Sequence, residues 1–442
     1  MQICHALRLI ILPIQYTTQV INSIVKIFDI DNDLFYDIIP TVNQQCFFDE
    51  HYNGGTYMKK ILSVILVAIF LIALTASCGG GGEKVIKIGV FEPASGDNGA
   101  GGKQETLGIQ FANQETPTVT IGGVEYTVKL EIVDNQSNTA VAPSAAQNLV
   151  SAGVSIVLGS YGSAVSMAAS DVFADAGLTA VGVSCTNPQV TLGNDHYFRI
   201  CFLDPFQGTV LANFAKDQFG AQKAYVLAKL GDDYSVGLAN YFMDAFGKEN
   251  CTYETFPDGT NDYSSYIANA IANDAGVFFS PTSTEAAALI IDQANTQGLS
   301  VPILAGDTWD SNVILNAAEG KNVSVYVTTF YQEGGAPAFD AGIKEWINSD
   351  STAKANNGGD DKVAAVTALG YDAYYVALEI LKAAGSLELP AIRSATPNLS
   401  YKGVTGPIAF DGTGDAKRDT AFVKAVNVDT GEWEFIAQQG VK

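Results

Sequence analysis

The sequence predicts an α/β protein built on mainly parallel sheets, and three observations carry that expectation. Short runs rich in Val, Ile, Leu and Ala alternate with longer segments whose apolar residues recur at helical spacing. The connecting loops are rich in Gly, Ser, Thr, Asp and Tyr. The chain is also long and apolar enough for sizeable cores. Its 442 residues, 47% of them hydrophobic, correspond to two to four domains at ~100–200 residues each. Strands separated by helices close as parallel pairs with right-handed crossovers.

The elements follow in order. Val85–Phe91 (VIKIGVF) is a buried strand that ends near Pro93, and Gln104–Asn113 is a helix. Val119–Ile121 and Tyr126–Val133 flank Gly122-Gly123, a hairpin signal. Val141–Ser151 is helical, Ser155–Leu158 a strand, Ser163–Ala176 a helix and Leu178–Val183 a strand. A second series runs Ala224–Leu230 (strand), Ser235–Phe246 (helix), Gly276–Phe279 (strand), Thr284–Gln297 (helix) and Val301–Ala305 (strand). After Ala364 a long helix reaches about Ala384, and Ile408–Phe410, Ala425–Val428 and Trp433–Ala437 read as closing strands around glycine turns.

Ahead of the first strand, Met58-Lys59-Lys60 precedes an apolar run from Ile61 to Ala76 and then Ser77, Cys78 and Gly79 to Gly82. A basic start, a short apolar core and small boundary residues are the parts of an export signal. The run is short for a membrane span, which takes ~20 apolar residues. Cys78 directly after Thr75-Ala76-Ser77 resembles a bacterial lipoprotein cleavage site, in which the cysteine is lipidated; a plain secretory signal is the simpler reading. The expected organisation is an upstream extension over 1–57 outside the true gene start, a lipoprotein signal over 58–77 and a glycine-rich tether over 78–84.

Composition excludes several classes. Acidic residues outnumber basic ones 47 to 24, giving a formal charge of −23, so phosphate backbones are repelled and nucleic acid is a poor partner. Three histidines occur, and only His196 lies beyond the signal, which disfavours a His-based triad, zinc site or proton relay. There is no Cys-x-x-Cys pair, no phosphate-binding Gly-x-x-x-x-Gly-Lys loop and no Gly-x-Ser-x-Gly elbow. No catalytic residue, metal or cofactor is expected. Cys185 and Cys201 are able to pair on sequence grounds, without the sequence deciding it.

Ligands on such sheets bind beyond the carboxyl ends of the strands. Three residues there make a specific set. Ser163 opens a helix, where a hydroxyl and free backbone N–H groups form an anion seat. Thr186 follows the next strand and adds a hydroxyl, and Asp307, in Gly306-Asp307-Thr308-Trp309, supplies a carboxylate for a cation. An anion seat opposite a carboxylate describes the backbone half of an amino acid. Ser163 reads equally as an ordinary N-cap and Asp307 as a turn residue. Tyr161 and Tyr234 equally suit the edge of a core.

Several stretches in this order resemble the branched-chain amino acid–binding proteins of ABC importers. They are IKIGVFEPASGDNGAGGKQETLGIQFAN (86–113), VSIVLGSYGSAVSMAASDVFADAGLTAVGVSCTNPQVT (154–191), YFRICFLDPFQG (197–208), LAKLGDDYSVGLA (227–239), ILAGDTWDS (303–311) and LGYDAYYVALEIL (369–381). The resemblance implies the type I periplasmic-binding fold, with two α/β lobes joined by three hinge crossovers. Lobe I is expected to take 85–203 with 332–405, and lobe II 204–331 with 406–442. It implies a receptor, not an enzyme, that binds an L-amino acid, with leucine, isoleucine and valine as the default. The partners implied are ABC permease and ATPase subunits, with a membrane reached through lipidated Cys78 on the extracytoplasmic side, and the receptor is expected to be a monomer. By resemblance Ser163 and Thr186 hold the α-carboxylate, the Ser184 carbonyl and Asp307 hold the α-ammonium, and Tyr234 packs over the ligand. Gly101 stands where some members place an aromatic residue, and Tyr161 fills part of that difference. Amides and urea remain open as ligands, as do a sensor role on the same fold and, less favoured, an exported hydrolase.

Overall fold

The structure, a computed structural model, describes residues 84–440. The expected extension, signal segment and lipidated Cys78 lie outside the described residues, as does nearly all of the tether. No described helix is long and apolar enough to cross a membrane.

Strands β1 (Val85–Glu92), β2 (Thr118–Ile121), β3 (Val124–Asp134), β4 (Ile156–Leu158), β5 (Ala180–Gly182) and β6 (Tyr197–Arg199) form the first sheet, in the order β2-β3-β1-β4-β5-β6. All neighbours pair in parallel except the hairpin β2–β3, whose Gly122 and Gly123 take φ of 56° and 81°. Two positive φ angles in a two-residue turn match the twist of the strands they join. Central β1 is flanked by β3 and β4, with Val85 opposite Thr127 and Ile88 opposite Ile156. It is covered on both faces, so it reads as a continuous apolar run. Helices α1 (Gly99–Glu115), α2 (Ala142–Ala152) and α3 (Ser163–Asp175) connect these strands.

The second sheet contains β7 (Ala224–Lys229), β8 (Cys251–Phe256), β9 (Val277–Phe279), β10 (Ile303–Ala305), β11 (Val325–Thr329), β14 (Ala421–Asn427) and β15 (Glu432–Gln439). Their order is β15-β14-β11-β10-β9-β7-β8, parallel except for the antiparallel edge of β14 and β15. Its helices are α4 (Asp204–Phe219), α5 (Asp233–Phe246), α6 (Ser264–Ala272), α7 (Thr284–Gln297) and α8 (Asn312–Ala318). Helices α9 (Pro337–Ser349), α10 (Ser351–Asn356) and α11 (Ala365–Ala384) then return to pack on α1 of the first lobe, and α12 (Leu389–Ala395) packs on α11. The hairpin of β12 (Ser400–Gly403) and β13 (Gly406–Ala409) also lies against α11. The chain thus crosses between lobes after β6, after β11 and after β13, the two-lobed arrangement expected.

Two readings differ from the expectation, and the cysteine pairing that the sequence left open is decided. Gly99, Gly101 and Gly102 belong to the first turns of α1 rather than to a loop, because the helix is fixed by packing that only small residues allow. A Cβ at Gly102 would lie 2.1 Å from the Pro93 carbonyl oxygen. Ile408 belongs to β13, whose one strand partner is β12, and not to the closing edge of the second sheet. Cys185, Cys201 and Cys251 are all free thiols. Helices α4, α6, α8, α9, α10 and α12 and strands β6, β8, β11 and β12 had no sequence expectation; β8 is only half-buried and mixes Cys, Thr and Glu with its aromatics.

Candidate functional site

The loops that follow β1, β4 and β5 meet those that follow β7, β9 and β10 between the lobes. The Tyr161 hydroxyl donates to the Thr308 carbonyl at 3.1 Å, and Asn187 Nδ2 donates to the Asp233 carbonyl at 2.8 Å. Lys229 pairs with Asp97 across the gap, and the Thr284 hydroxyl donates to the Asp97 carbonyl at 3.3 Å. Between these contacts lies a cavity of about 50 Å³ whose lining includes Tyr161, Ser163, Tyr234 and Thr308. A larger groove of about 630 Å³, with Phe202, Phe330 and Arg418 in its wall, lies at the crossovers and contains none of the sequence-predicted residues.

Each predicted residue has a definite place. Ser163 is the first residue of α3 and is buried, but it does not cap the helix; its hydroxyl accepts from the Asn187 backbone N–H at 3.2 Å. That bond joins the loop after β4 to the loop after β5. Thr186, on the latter loop, is fully buried, and its hydroxyl has no hydrogen-bond partner. Ser184 is buried, and its hydroxyl donates to Glu105. On the opposite lobe, Asp307 is buried at the head of a short 3₁₀ turn after β10. Its Oδ1 accepts from Gln207 Nε2 at 2.8 Å and from the Tyr234 hydroxyl at 3.1 Å. Tyr161 and Tyr234 therefore meet around Thr308, with the Tyr234 hydroxyl 3.3 Å from Thr308 Oγ1. Gly101 sits under the Tyr161 ring: a Cβ there would lie 2.4 Å from two ring carbons.

Sequence reasoning missed four buried polar residues beside this set: Glu92, Glu105, Asp204 and Gln207. Asp204-Pro205 at the start of α4, with Gln207 three residues on, puts both side chains on one helix face and was the legible signal. Burial pushes the Asp307 carboxyl up to about 6, with the bonds from Gln207 and Tyr234 pulling the other way. Burial pushes Asp204 up to about 8, with the nearby Thr186 hydroxyl pulling the other way, and neither of its oxygens has a partner at hydrogen-bond distance. Gln207 Oε1 is likewise buried and unpartnered. Unpaired buried polar atoms cost about 1–3 kcal/mol each, so a concentration of them between two lobes marks a place for polar ligand groups. Hydroxyls beside a helix start can receive a carboxylate, while Asp307 and a carbonyl can receive an ammonium.

The family model described as "Periplasmic binding protein" matches residues 85–432. The chain is 29% identical over 352 residues to the Leu/Ile/Val-binding protein homolog 1 of Brucella abortus (strain 2308), covering 78% of this chain and 91% of that protein. The structure of the leucine binding protein LivK from Thermotoga maritima MSB8 is similar with a TM-score of 0.70 and 31% identity, over 80% of this chain and 99% of that one. The branched-chain amino acid transporter substrate binding protein LivJ from Streptococcus pneumoniae, solved in complex with isoleucine, is similar with a TM-score of 0.69 and 26% identity, over 81% and 99% of the two chains.

Proposed function

The chain belongs to the periplasmic binding protein family, and from that premise we propose that it is an extracytoplasmic receptor for an L-amino acid of the branched-chain type. It carries the ligand between its two lobes to the permease and ATPase of an ABC importer, and it performs no chemistry on it. Cys78 anchors it to the membrane as a lipoprotein, and it works as a monomer.

One observation carries the reading. Buried Ser163 and Thr186 on adjacent loops of one lobe stand opposite buried Asp307 on the other. In this reading the two hydroxyls and the N-terminus of α3 hold the α-carboxylate. The Ser184 carbonyl and Asp307 hold the α-ammonium, while Tyr234 and Tyr161 shield the site from water. A zwitterion enclosed between lobes loses its hydration, so each charge needs a fixed partner. Charge-assisted hydrogen bonds give about 1.5–3 kcal/mol each, and burying an aliphatic side chain adds about 1.5–3 kcal/mol. After the entropy of closure, micromolar affinity, about −8 kcal/mol, is expected.

The test is thermal unfolding of the refolded protein against each of the twenty L-amino acids, with benzoate and a sugar as controls. At about 100 times its Kd a ligand adds about 2.7 kcal/mol. Stabilisation by aliphatic amino acids alone supports the reading; stabilisation by benzoate to the same degree removes the ammonium from it.

A further inference from the structure

Behind the loop that carries Thr186 stands a buried cation with no part in the ligand contacts above. Arg199 ends β6 and is fully buried. Its Nη1 donates to the Cys185 carbonyl at 2.8 Å and to the Asn187 carbonyl, and its Nη2 donates to the Thr191 hydroxyl at 3.0 Å. Its Nε donates to Asp415 Oδ1 at 2.6 Å. Cys185 and Asn187 are the two chain neighbours of Thr186. The backbone here is held from other sides as well. The Asn187 N–H donates to the Ser163 hydroxyl, and the Thr186 carbonyl accepts from the Asp204 N–H at 3.0 Å. In the middle of this fixed segment the Thr186 hydroxyl is buried and has no hydrogen-bond partner.

We propose that Arg199 is a positioning residue for the anion seat: it fixes the backbone on both sides of Thr186 and so aims that hydroxyl at the place where Ser163 also points. The seat itself comes from the receptor reading, on which this proposal rests; what is added is the group that holds it in shape. A hydroxyl on a free loop has to be ordered by the ligand, at a cost in affinity. A hydroxyl held beforehand avoids that cost. A planar guanidinium fork reaches two carbonyls and a hydroxyl at once, which a lysine ammonium on its flexible stem does not reproduce.

Asp415 allows the cation to stay there. An unpaired charge in a water-free site is strongly destabilising, and Asp415 neutralises this one. Asp415 lies beyond β13, where the chain leaves for the second lobe. Backbone bonds stitch its segment to β6: the Arg199 N–H donates to the Gly414 carbonyl at 3.0 Å, and the Ala416 N–H donates to the Arg199 carbonyl at 2.9 Å. Asp415 Oδ1 also accepts from the Thr191 hydroxyl at 2.8 Å, so one carboxylate anchors both the guanidinium and the far end of the Thr186 loop. A buried ion pair is often no more stabilising than apolar residues of the same volume. What this one supplies is placement.

The test is a double-mutant cycle on affinity for L-leucine, read by calorimetry. Arg199→Lys keeps a positive charge beside Asp415 but loses the fork, and Thr186→Val removes the hydroxyl. In the wild-type background Arg199→Lys is expected to weaken binding at least ~tenfold, and in the Thr186→Val background less than ~threefold, because the group it positions is gone. Equal losses in the two backgrounds overturn the proposal, since Arg199 then acts through the fold at large.

A ligand-free arm separates this from the receptor reading. Amide exchange at Asn187 reports local opening of the loop, and exchange in β1 reports opening of the lobe as a whole. Arg199→Lys is expected to speed exchange at Asn187 at least ~tenfold more than in β1. If it does so while no amino acid binds, the hold on the loop stands and the receptor reading falls. An equal effect at both places overturns the positioning role whatever binds. Should Arg199→Lys fail to fold, Arg199→Gln combined with Asp415→Asn removes both charges together, and the same two comparisons are made on it.

Discussion

In the proposed site, Asp307 is the residue on which charge recognition turns. It is buried with neutral donors for company, Gln207 and Tyr234, so its charge is left for a ligand cation. Replacing it with Ala is expected to weaken amino acid binding at least ~tenfold, about 1.4 kcal/mol, in calorimetry, with the unfolding transition kept cooperative. Its carboxyl is raised to about 6, above the usual range, so protons compete with the ligand on acidification. Affinity is expected to fall about tenfold from pH 7 to pH 5, in the sense that the anion binds and the acid does not. Gly101 makes the second residue-scale prediction. Ala there gains about 1 kcal/mol of helix propensity, but its methyl would sit 2.4 Å from the Tyr161 ring, and overpacking costs about 1–3 kcal/mol. The steric cost wins, the ring leaves Thr308, and weaker ligand binding by calorimetry is the expected result. These residues differ in how readable they were. Ser163, Thr186 and Asp307 are legible as candidates because each follows an apolar strand, although Ser163 reads equally as an N-cap and Asp307 as a turn residue. Glu92 and Glu105 are not, since a carboxyl at the end of a strand or on a helix looks like a surface charge until the fold buries it.

At the scale of elements, the tightest contact is between α1 and α11, whose backbones meet at two glycines. A Cβ on Gly108 would lie 1.9 Å from the Thr367 carbonyl oxygen, and one on Gly370 would lie 2.1 Å from the Glu105 carbonyl oxygen. Phe111 completes the seam, stacked on Trp346 and Tyr371 with centroids 5.8 Å apart in both cases. Gly108→Ala is expected to destabilise the protein by roughly 1–3 kcal/mol in urea unfolding, because backbone cannot yield as a side chain does. A neutral result would mean the helices separate freely. Most elements were legible because their apolar residues repeat with one period. Central strands such as β1 and β10 are continuous apolar runs, and α7 is bounded by Ser283 and Gly298, whose cap roles are local chemistry. What was not legible depends on partners distant in sequence. The start of α1 reads as a glycine loop, and only packing against Pro93 and Tyr161 makes it helix. Likewise β12–β13 reads as part of a sheet until α11 is seen to hold it.

At the scale of the whole molecule, the lobes are latched at the cleft mouth. Lys229 of the second lobe bonds Asp97 of the first and, at 2.7 Å, Asp258 beside it. Such partly exposed pairs contribute about 0–1 kcal/mol, so Lys229→Ala is expected to speed ligand release up to about fivefold in stopped-flow while leaving each lobe folded. An unchanged release rate would place the closing energy elsewhere. The two-lobed division itself was reached through resemblance, since no local signal says that a strand after residue 420 returns to the second sheet. The proposed recognition in this cleft rests on both charges of one amino acid being held at once. Calorimetric titration with L-leucine beside 4-methylpentanoic acid, which lacks the ammonium, and 3-methylbutylamine, which lacks the carboxylate, measures each charge separately. Micromolar binding of L-leucine is expected, with a loss of at least ~100-fold for each analogue, about 2.7 kcal/mol per missing charge. Comparable binding of the acid would contradict the role of Asp307, and comparable binding of the amine would contradict that of Ser163 and Thr186.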